Sequence, residues 1–282
     1  MNLGAFPEAF DASVDAGLEW VADNGSGLFD AINAGLQGLY QGVYWLLSLP
    51  PYYVVALLLA ALGWRLAGRG FALGTLVAML CCAFIGLWPE TMSTLALVVV
   101  ATVLALLVAI PLGVIAGLLP ALDRVVEPVL DLIQTMPPYI YLLPSIALLG
   151  YGPGTALVAT FIVALPPAFR LTSLGIRMTP TAFIELGEAS GVTRWQMFCK
   201  IRLPFAMPSI MAGVNQSLMM AFGMVVIAGI VGSGGLGEAI YGAIRTLDIA
   251  KSINAAIAIV ILTMILDRMA QSAAAAQRGA KP

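Results

Sequence analysis

A chain of 282 residues with no histidine and only three cysteines carries few groups able to do covalent or metal chemistry. Cys81 and Cys82 are adjacent inside an apolar run and Cys199 stands alone in a polar stretch, so no zinc-ligand spacing exists. The adjacent pair reads as small apolar packing residues, the usual role of free cysteine. No G-x-x-x-x-G-K-[ST] occurs, and the glycines of GSGGLG at 232–237 lack the lysine of a phosphate cradle, so ATP, if used, is bound by another subunit. What remains is recognition, and its strongest mark is 185–204, ELGEASGVTRWQMFCKIRLP, the longest polar and charged segment, flanked by long apolar runs.

The physics of that segment predicts two short helices around a hinge. Thr179 and Pro180 supply a capping residue and a proline for the first helical position, and Gly191 suits the left-handed residue that ends a helix. Thr193-Arg194-Trp195-Gln196 has the form of a capping box that restarts the chain. The second helix is expected to run to about Lys200, with Pro204 marking its end or a kink. Such a segment is built to touch a soluble partner.

The elements that must hold it are lipid-like. The chain is 61% hydrophobic and 10% charged, with a mean hydropathy of +0.98, against about 25% charged residues in ordinary soluble domains. These values predict an all-α polytopic membrane protein with lipid as its surroundings. A net charge of −2 and no basic cluster exclude nucleic acid as a partner. Spans of near 20 residues are expected at 51–67, 71–88, 92–119, 132–149, 155–172, 208–231 and 253–269, seven in all. Pro111 and Gly113 predict a kink in the third.

Residues 1–50 hold six acids and no Lys or Arg, so they lack the positive start of a secretory signal. Acids at 8, 11, 15, 19 and 23 recur at helical spacing, which predicts an amphipathic surface helix. The stripe at 28–47 alternates with Asp30, Asn33, Gln37 and Gln41 and is expected to lie in the interface, spanning being the other reading. The organisation is thus an extracytoplasmic or interfacial segment at 1–50, a transmembrane domain at 51–272 with a cytoplasmic loop at 177–207, and a tail at 273–282. With that loop inside, eleven Lys and Arg fall inside and only Arg245 and Lys251 outside, so the N-terminus is expected outside and the C-terminus in the cytoplasm.

Gln134 to Pro144, QTMPPYIYLLP, breaks regular helix with three prolines at membrane depth. Irregular backbone survives there only where protein buries it or it lines a cavity, so this stretch is either a pathway wall or a packing kink; Pro166-Pro167 is open to the same two readings. Tyr139 and Tyr141 are the aromatic faces available to a methylated cation. Asn215 is a candidate for an interhelical hydrogen bond or the pathway wall, and Met219 and Phe222 share its helix, where core packing is the plainer reading. The turn at 232–237 is expected either to fold back tightly near the pathway mouth or a binding protein, or to be a plain flexible turn.

Glu185, Gly191, Ile201, Leu203 and Pro204 stand at the spacing E-A-A-x-x-x-G-x9-I-x-L-P, which resembles the cytoplasmic signature loop of ABC importer permeases. Leu186 and Gly187 occupy the two alanine positions. Beyond the loop, LPFAMPSIMAGVNQSLMMAFGMVVIAGIVGSGGLG (203–237) resembles the permeases that import glycine betaine, proline betaine and choline, and with TMPPYIYLLP and ALPPAFRLT the likeness covers about 50–268. The resemblance implies a type I ABC importer transmembrane domain in a bacterial inner membrane. It implies a second permease copy, a cytoplasmic ATPase dimer that binds the ATP and Mg, and an extracytoplasmic substrate-binding protein. It also implies that Gly191, Val192, Thr193, Arg194 and Trp195 enter a groove on the ATPase while Glu185 holds the loop's shape by pairing or capping, with Leu203 and Pro204 closing the motif. The chain itself would be no enzyme. The competing reading is an ion-coupled secondary transporter of a small zwitterion, against which stands the lack of any acid or base in 71–88, 92–119 and 132–160.

Overall fold

The computed structural model describes residues 5–277, with side chains for 10–275; Arg278 and Lys281, counted above among the inner basic residues, lie outside the described residues. The elements in order are α1 (Ala5–Ser48), α2 (Tyr52–Ala67), α3 (Arg69–Phe84), α4 (Trp88–Leu118), α5 (Pro120–Thr135), a 3-10 turn (Pro138–Tyr141), α6 (Leu142–Leu149), α7 (Pro153–Arg177), α8 (Thr181–Ala189), α9 (Arg194–Gln196), a π-helical turn (Met197–Arg202), α10 (Leu203–Ala228), a second 3-10 turn (Gly229–Val231), α11 (Gly235–Thr246) and α12 (Ile249–Gln277). No strand occurs among the described residues.

The centre is the trio α4, α7 and α10, in which α7 packs extensively on both α4 and α10 and those two touch each other less. Small residues make that approach possible. A β-carbon at Gly117 of α4 would lie 2.7 Å from Ile176 Cβ and 2.8 Å from Ser173 O of α7, and one at Gly175 of α7 would lie 2.8 Å from Ser209 Cβ of α10. In lipid, where apolar burial gives little drive between helices, such close backbone contact is a main source of cohesion. Ser217 Oγ adds a 2.6 Å hydrogen bond to Ala164 O across the α7–α10 contact.

Length and apolarity qualify four described helices as spans: α4, α7, the run from Arg194 to Val231, and α12. Two bent pairs raise the number to six, α1 with α2 at 97° and α5 with 138–149 at 105°. The count differs at the front, where α2 and α3 are only 16 residues each and form a hairpin through Gly68; an odd number of crossings, with the termini on opposite sides, requires α2 and α3 each to cross rather than α1 and α2 together. At 132–149 the prolines do break the helix as predicted: α5 stops at Thr135 and the chain turns through Pro138–Tyr141. Pro111 and Pro166-Pro167, by contrast, are carried inside the unbroken helices α4 and α7.

The expected surface helix and interfacial stripe of 1–50 are one helix of 44 residues, about 66 Å long and so twice a bilayer's hydrocarbon core. Its second half packs where α4 and α7 begin. Two of its polar side chains are used inside the protein: Asn33 Nδ2 donates to Leu149 O at 2.9 Å and Gln37 Nε2 to Asn33 Oδ1 at 3.1 Å. Tyr40 is buried and shares a 2.7 Å hydrogen bond with Ser93 Oγ of α4.

Candidate functional site: the loop between α7 and α10

Helix α8 begins later than the capping pattern predicts. Pro180 is extended (φ −59°, ψ 132°) and occupies the cap position, so the first helical residue is Thr181. Thr179 does not cap; its buried Oγ1 donates back to Ile176 O at 3.0 Å.

The far end of α8 forms as the sequence predicts. Gly191 has φ +71°, Gly191 N–H donates to Glu188 O at 3.0 Å and Val192 N–H to Gly187 O at 3.2 Å. This is the paired 5→2 and 6→1 pattern of a Schellman end. The capping box is complete: Gln196 N–H donates to Thr193 Oγ1 at 3.3 Å and Thr193 N–H to Gln196 Oε1 at 2.9 Å. Gly187, at the second alanine position of the motif, faces Met197 and Ile201; a β-carbon there would lie 2.7 Å from Met197 Cε and 2.9 Å from Ile201 Cδ1. The two short helices are thus folded against each other. Leu186, at the other alanine position, is exposed.

Pro204 neither ends nor kinks the chain. The register widens beforehand: Leu203 N–H donates to Phe198 O, five residues back, and α10 then runs on through Pro204 and Pro208. A proline removes one helical donor and crowds the carbonyl four residues earlier, and the wider π turn absorbs both. Phe183 of α8 meets Phe205 of α10 with ring centroids 4.8 Å apart. The loop is therefore continuous with α10 on one side and with α7 on the other.

What it presents outward is apolar and charged, with Glu185 and Glu188 exposed alongside Arg194. Trp195 is 72% exposed with its ring 5.8 Å from that of Phe198, and Met178, Phe183 and Leu186 are exposed nearby. Ile184, Glu188, Val192, Arg194, Met197 and Arg202 line a recess of about 470 Å³. Glu185 is exposed and makes no hydrogen bond or ion pair with the described residues, so the expected shape-holding role belongs instead to the Schellman end and the capping box.

The predicted pathway residues are not brought together. Tyr139 is exposed, while Tyr141 is half-buried with its hydroxyl tied to Ile133 O at 2.8 Å. Phe222 is in the main core, and Met219 faces outward from the same helix. Asn215 Oδ1 is buried without a partner among the described residues. The 3-10 turn that carries both tyrosines does lie against α7 and α10.

At the end of α10 remote from the loop, Gly232, Gly234 and Gly235 all have positive φ, and the chain folds back so tightly that a β-carbon at Gly229 would collide with Gly237. Gly234 N–H donates to Glu238 Oε2 at 2.8 Å and Leu236 N–H to Thr94 Oγ1 at 2.8 Å. The turn borders a recess of about 580 Å³ that also holds Glu90, Arg245 and Lys251. Of the two readings of this turn, the tight fold-back is the one observed.

Sequence reasoning missed Asp123, which is 5% exposed, accepts from Ser173 Oγ at 2.8 Å and pairs with Arg177 at 2.7 Å. Its signal is the amphipathic pattern of 120–135.

Residues 109–277 match the family described as "Binding-protein-dependent transport system inner membrane component". The chain is 40% identical over 259 residues to the glycine betaine transport system permease protein OpuAB of Bacillus subtilis, covering 92% of each chain. It is 38% identical to the glycine betaine/proline betaine transport system permease protein ProW of Escherichia coli over 93% of this chain and 74% of that one. Among solved structures, an inward-facing form of the MetNI methionine ABC transporter superposes with a TM-score of 0.56 and 25% identity, covering 67% of this chain and 93% of that one.

Proposed function

This chain belongs to the family of binding-protein-dependent transport system inner membrane components, and from that membership and its likeness to glycine betaine permeases we propose that it imports small methylated onium compounds, zwitterionic betaines or the cation choline. It is the non-catalytic membrane subunit of an ABC importer, and ATP hydrolysis belongs to a separate ATPase. A methylated onium group spreads its charge over groups that donate no strong hydrogen bond, so aromatic faces rather than carboxylates suit it, at about 0.5–2 kcal/mol per ring. Tyr139 is the exposed ring beside the proline break, and Asn215, with its unpartnered oxygen, is a buried polar group on α10.

The observation that carries the reading is the loop itself. A Schellman end and a capping box hold Gly191, Val192, Thr193 and Arg194 in one shape while Trp195 stands out of it. Buried aromatics commonly anchor interfaces, and we assign Trp195 and the recess beside it to the ATPase dimer, which binds ATP and Mg. Closure of that dimer moves the loop and rocks α7 and α10, opening the pathway to alternate sides. A second copy of the chain completes the assembly by two-fold symmetry.

The same elements support an orientation. Helix α10 is about 39 Å long, so the loop and the glycine-rich turn lie on opposite membrane faces. Arg245 and Lys251, the two basic residues expected outside, both border the recess at the turn. We place the binding protein there, with the N-terminus on that side and the C-terminus in the cytoplasm. The test is uptake by liposomes holding this chain and its ATPase, with the binding protein supplied outside. Labelled glycine betaine should enter only with ATP inside, and Trp195→Ala should cut stimulated hydrolysis by about 30-fold, the loss of an interfacial anchor worth ~2 kcal/mol. Uptake driven by an ion gradient without ATP would overturn the reading.

A further inference from the structure

Helix α5 is tied to α7 by two polar rungs. In the first, the nearly buried Asp123 carboxylate accepts from Ser173 and pairs with Arg177, which is 40% exposed. In the second, Arg170 pairs with Asp131 and donates from Nη1 to Gln134 Oε1 at 2.7 Å. Numbers rise along α5 as they fall along α7, so the helices are antiparallel here and the rungs are about two turns apart. Their placement in the chain is what matters. Arg177 is the last residue of α7, directly before the loop that α8 opens. Gln134 is in the last turn of α5, directly before the 105° break at Pro137-Pro138. Beyond the break, the Tyr141 hydroxyl reaches back to Ile133 O, so the turn is held to the end of α5.

We propose that this ladder makes α5 a lever that carries displacement of the loop to the broken backbone beside the pathway, with Asp123, Ser173, Arg177 and Arg170 as its positioning residues. The proposal rests on the assignment of the loop to the ATPase. The apolar contacts of α5 with α7 and α4 can slide, whereas a carboxylate removed from water and bonded to two donors has one good position and is costly to leave unpaired. The half-exposed Arg177 is the replaceable side of the first rung, and Asp123 is the fixed side.

The test uses the assembled transporter in liposomes and reads substrate moved per ATP hydrolysed. Asp123→Asn and Arg177→Gln should leave assembly and basal hydrolysis in place while lowering that ratio about tenfold, inside the 5–150-fold range usual for coupling between sites. The swap Asp123→Arg with Arg177→Asp should recover most of the loss, and Ser173→Ala should lower the ratio only a few-fold. Spin labels at Val125 and Leu143, exposed on either side of the break, should change separation on ATP binding in the parent and not in Asp123→Asn. Parent-like ratios in the single variants, or a swap no better than either single, would overturn the lever. If Asp123→Asn fails to assemble, Arg177→Lys and Ser173→Ala decide the matter by the same ratio. Failure of the loop assignment is seen separately, as normal stimulated hydrolysis in Gly191→Val.

Discussion

Substitution of Gly191 separates the shape of the loop from every contact around it. At φ +71°, a β-carbon on this residue would meet nothing within 4 Å, so no neighbour resists a larger side chain. The whole cost is backbone strain, about 1–2 kcal/mol for an ordinary L-residue in the left-handed region. Relief of that strain means opening the Schellman end and losing the bonds from Gly191 N–H to Glu188 O and from Val192 N–H to Gly187 O, each worth about 0.5–1.5 kcal/mol. The two costs are close, so Gly191→Ala should leave a mixture of loop shapes. A shift of 1–2 kcal/mol changes a population about 5–30-fold, and substrate-stimulated ATP hydrolysis should fall by that order. Gly191→Asn, whose side chain tolerates positive φ, should remain near the parent, and Gly191→Val, β-branched, should lose stimulation almost entirely. Thermal stability of the chain should fall by no more than that same ~1–2 kcal/mol, because the residue is exposed and joins no core. Capture of substrate by the binding protein should not change at all. Equal stimulated hydrolysis in the Ala, Asn and Val variants would refute the claim that this turn must keep its hand.

Three further outcomes follow from the same geometry. Gly117→Val should lower the melting temperature in detergent by the equivalent of about 1–3 kcal/mol of overpacking, since the added carbon meets Ser173 O and Ile176 Cβ of α7 rather than a flexible tip; an unchanged melting temperature would mean that α4 and α7 do not close on this glycine. A reporter fused near Asp15 should be exterior and one after Gln277 cytoplasmic, and both on one side would refute the orientation. Tyr139→Ala should slow uptake of a quaternary ammonium compound while Tyr139→Phe does not, and parent-like uptake in the Ala variant would move the aromatic face elsewhere.

The parts of this molecule that were legible in sequence are those governed by local chemistry. Gly191, the Thr193–Gln196 box and the Pro137-Pro138 break each depend on a few adjacent residues, and each forms as expected. The misreadings share a different cause. Pro204 looks like a stop or a kink only while the helix is assumed to keep one register, and the π turn at Met197–Arg202 removes that assumption. Asn33 and Gln37 look costly for a membrane-buried helix until their partners Leu149 and Asn33 are in place, and Leu149 is 116 residues from Asn33 in sequence. Tyr139 and Tyr141 are two residues apart on a 3-10 turn, and their divergence depends on an anchor at Ile133 that spacing alone does not reveal.

The manner in which the loop is attached decides what its motion can do. On its C-terminal side the backbone passes from the capping box through the π turn into α10 without a flexible residue, and Phe183 against Phe205 closes the angle between α8 and α10. On its N-terminal side Arg177 is held by Asp123, so the end of α7 cannot swing freely under Met178 and Thr179. A displacement at Trp195 therefore cannot be absorbed within the loop and must appear as movement of α7 and α10. Those two helices meet through Gly175 against Ala206 and Ser209 and through Gly213 against Ala168, contacts so close that they favour movement as one body. The place left to yield is where the backbone is already out of helical register, the turn at Pro138–Tyr141, and α5 is the element that connects it to the loop.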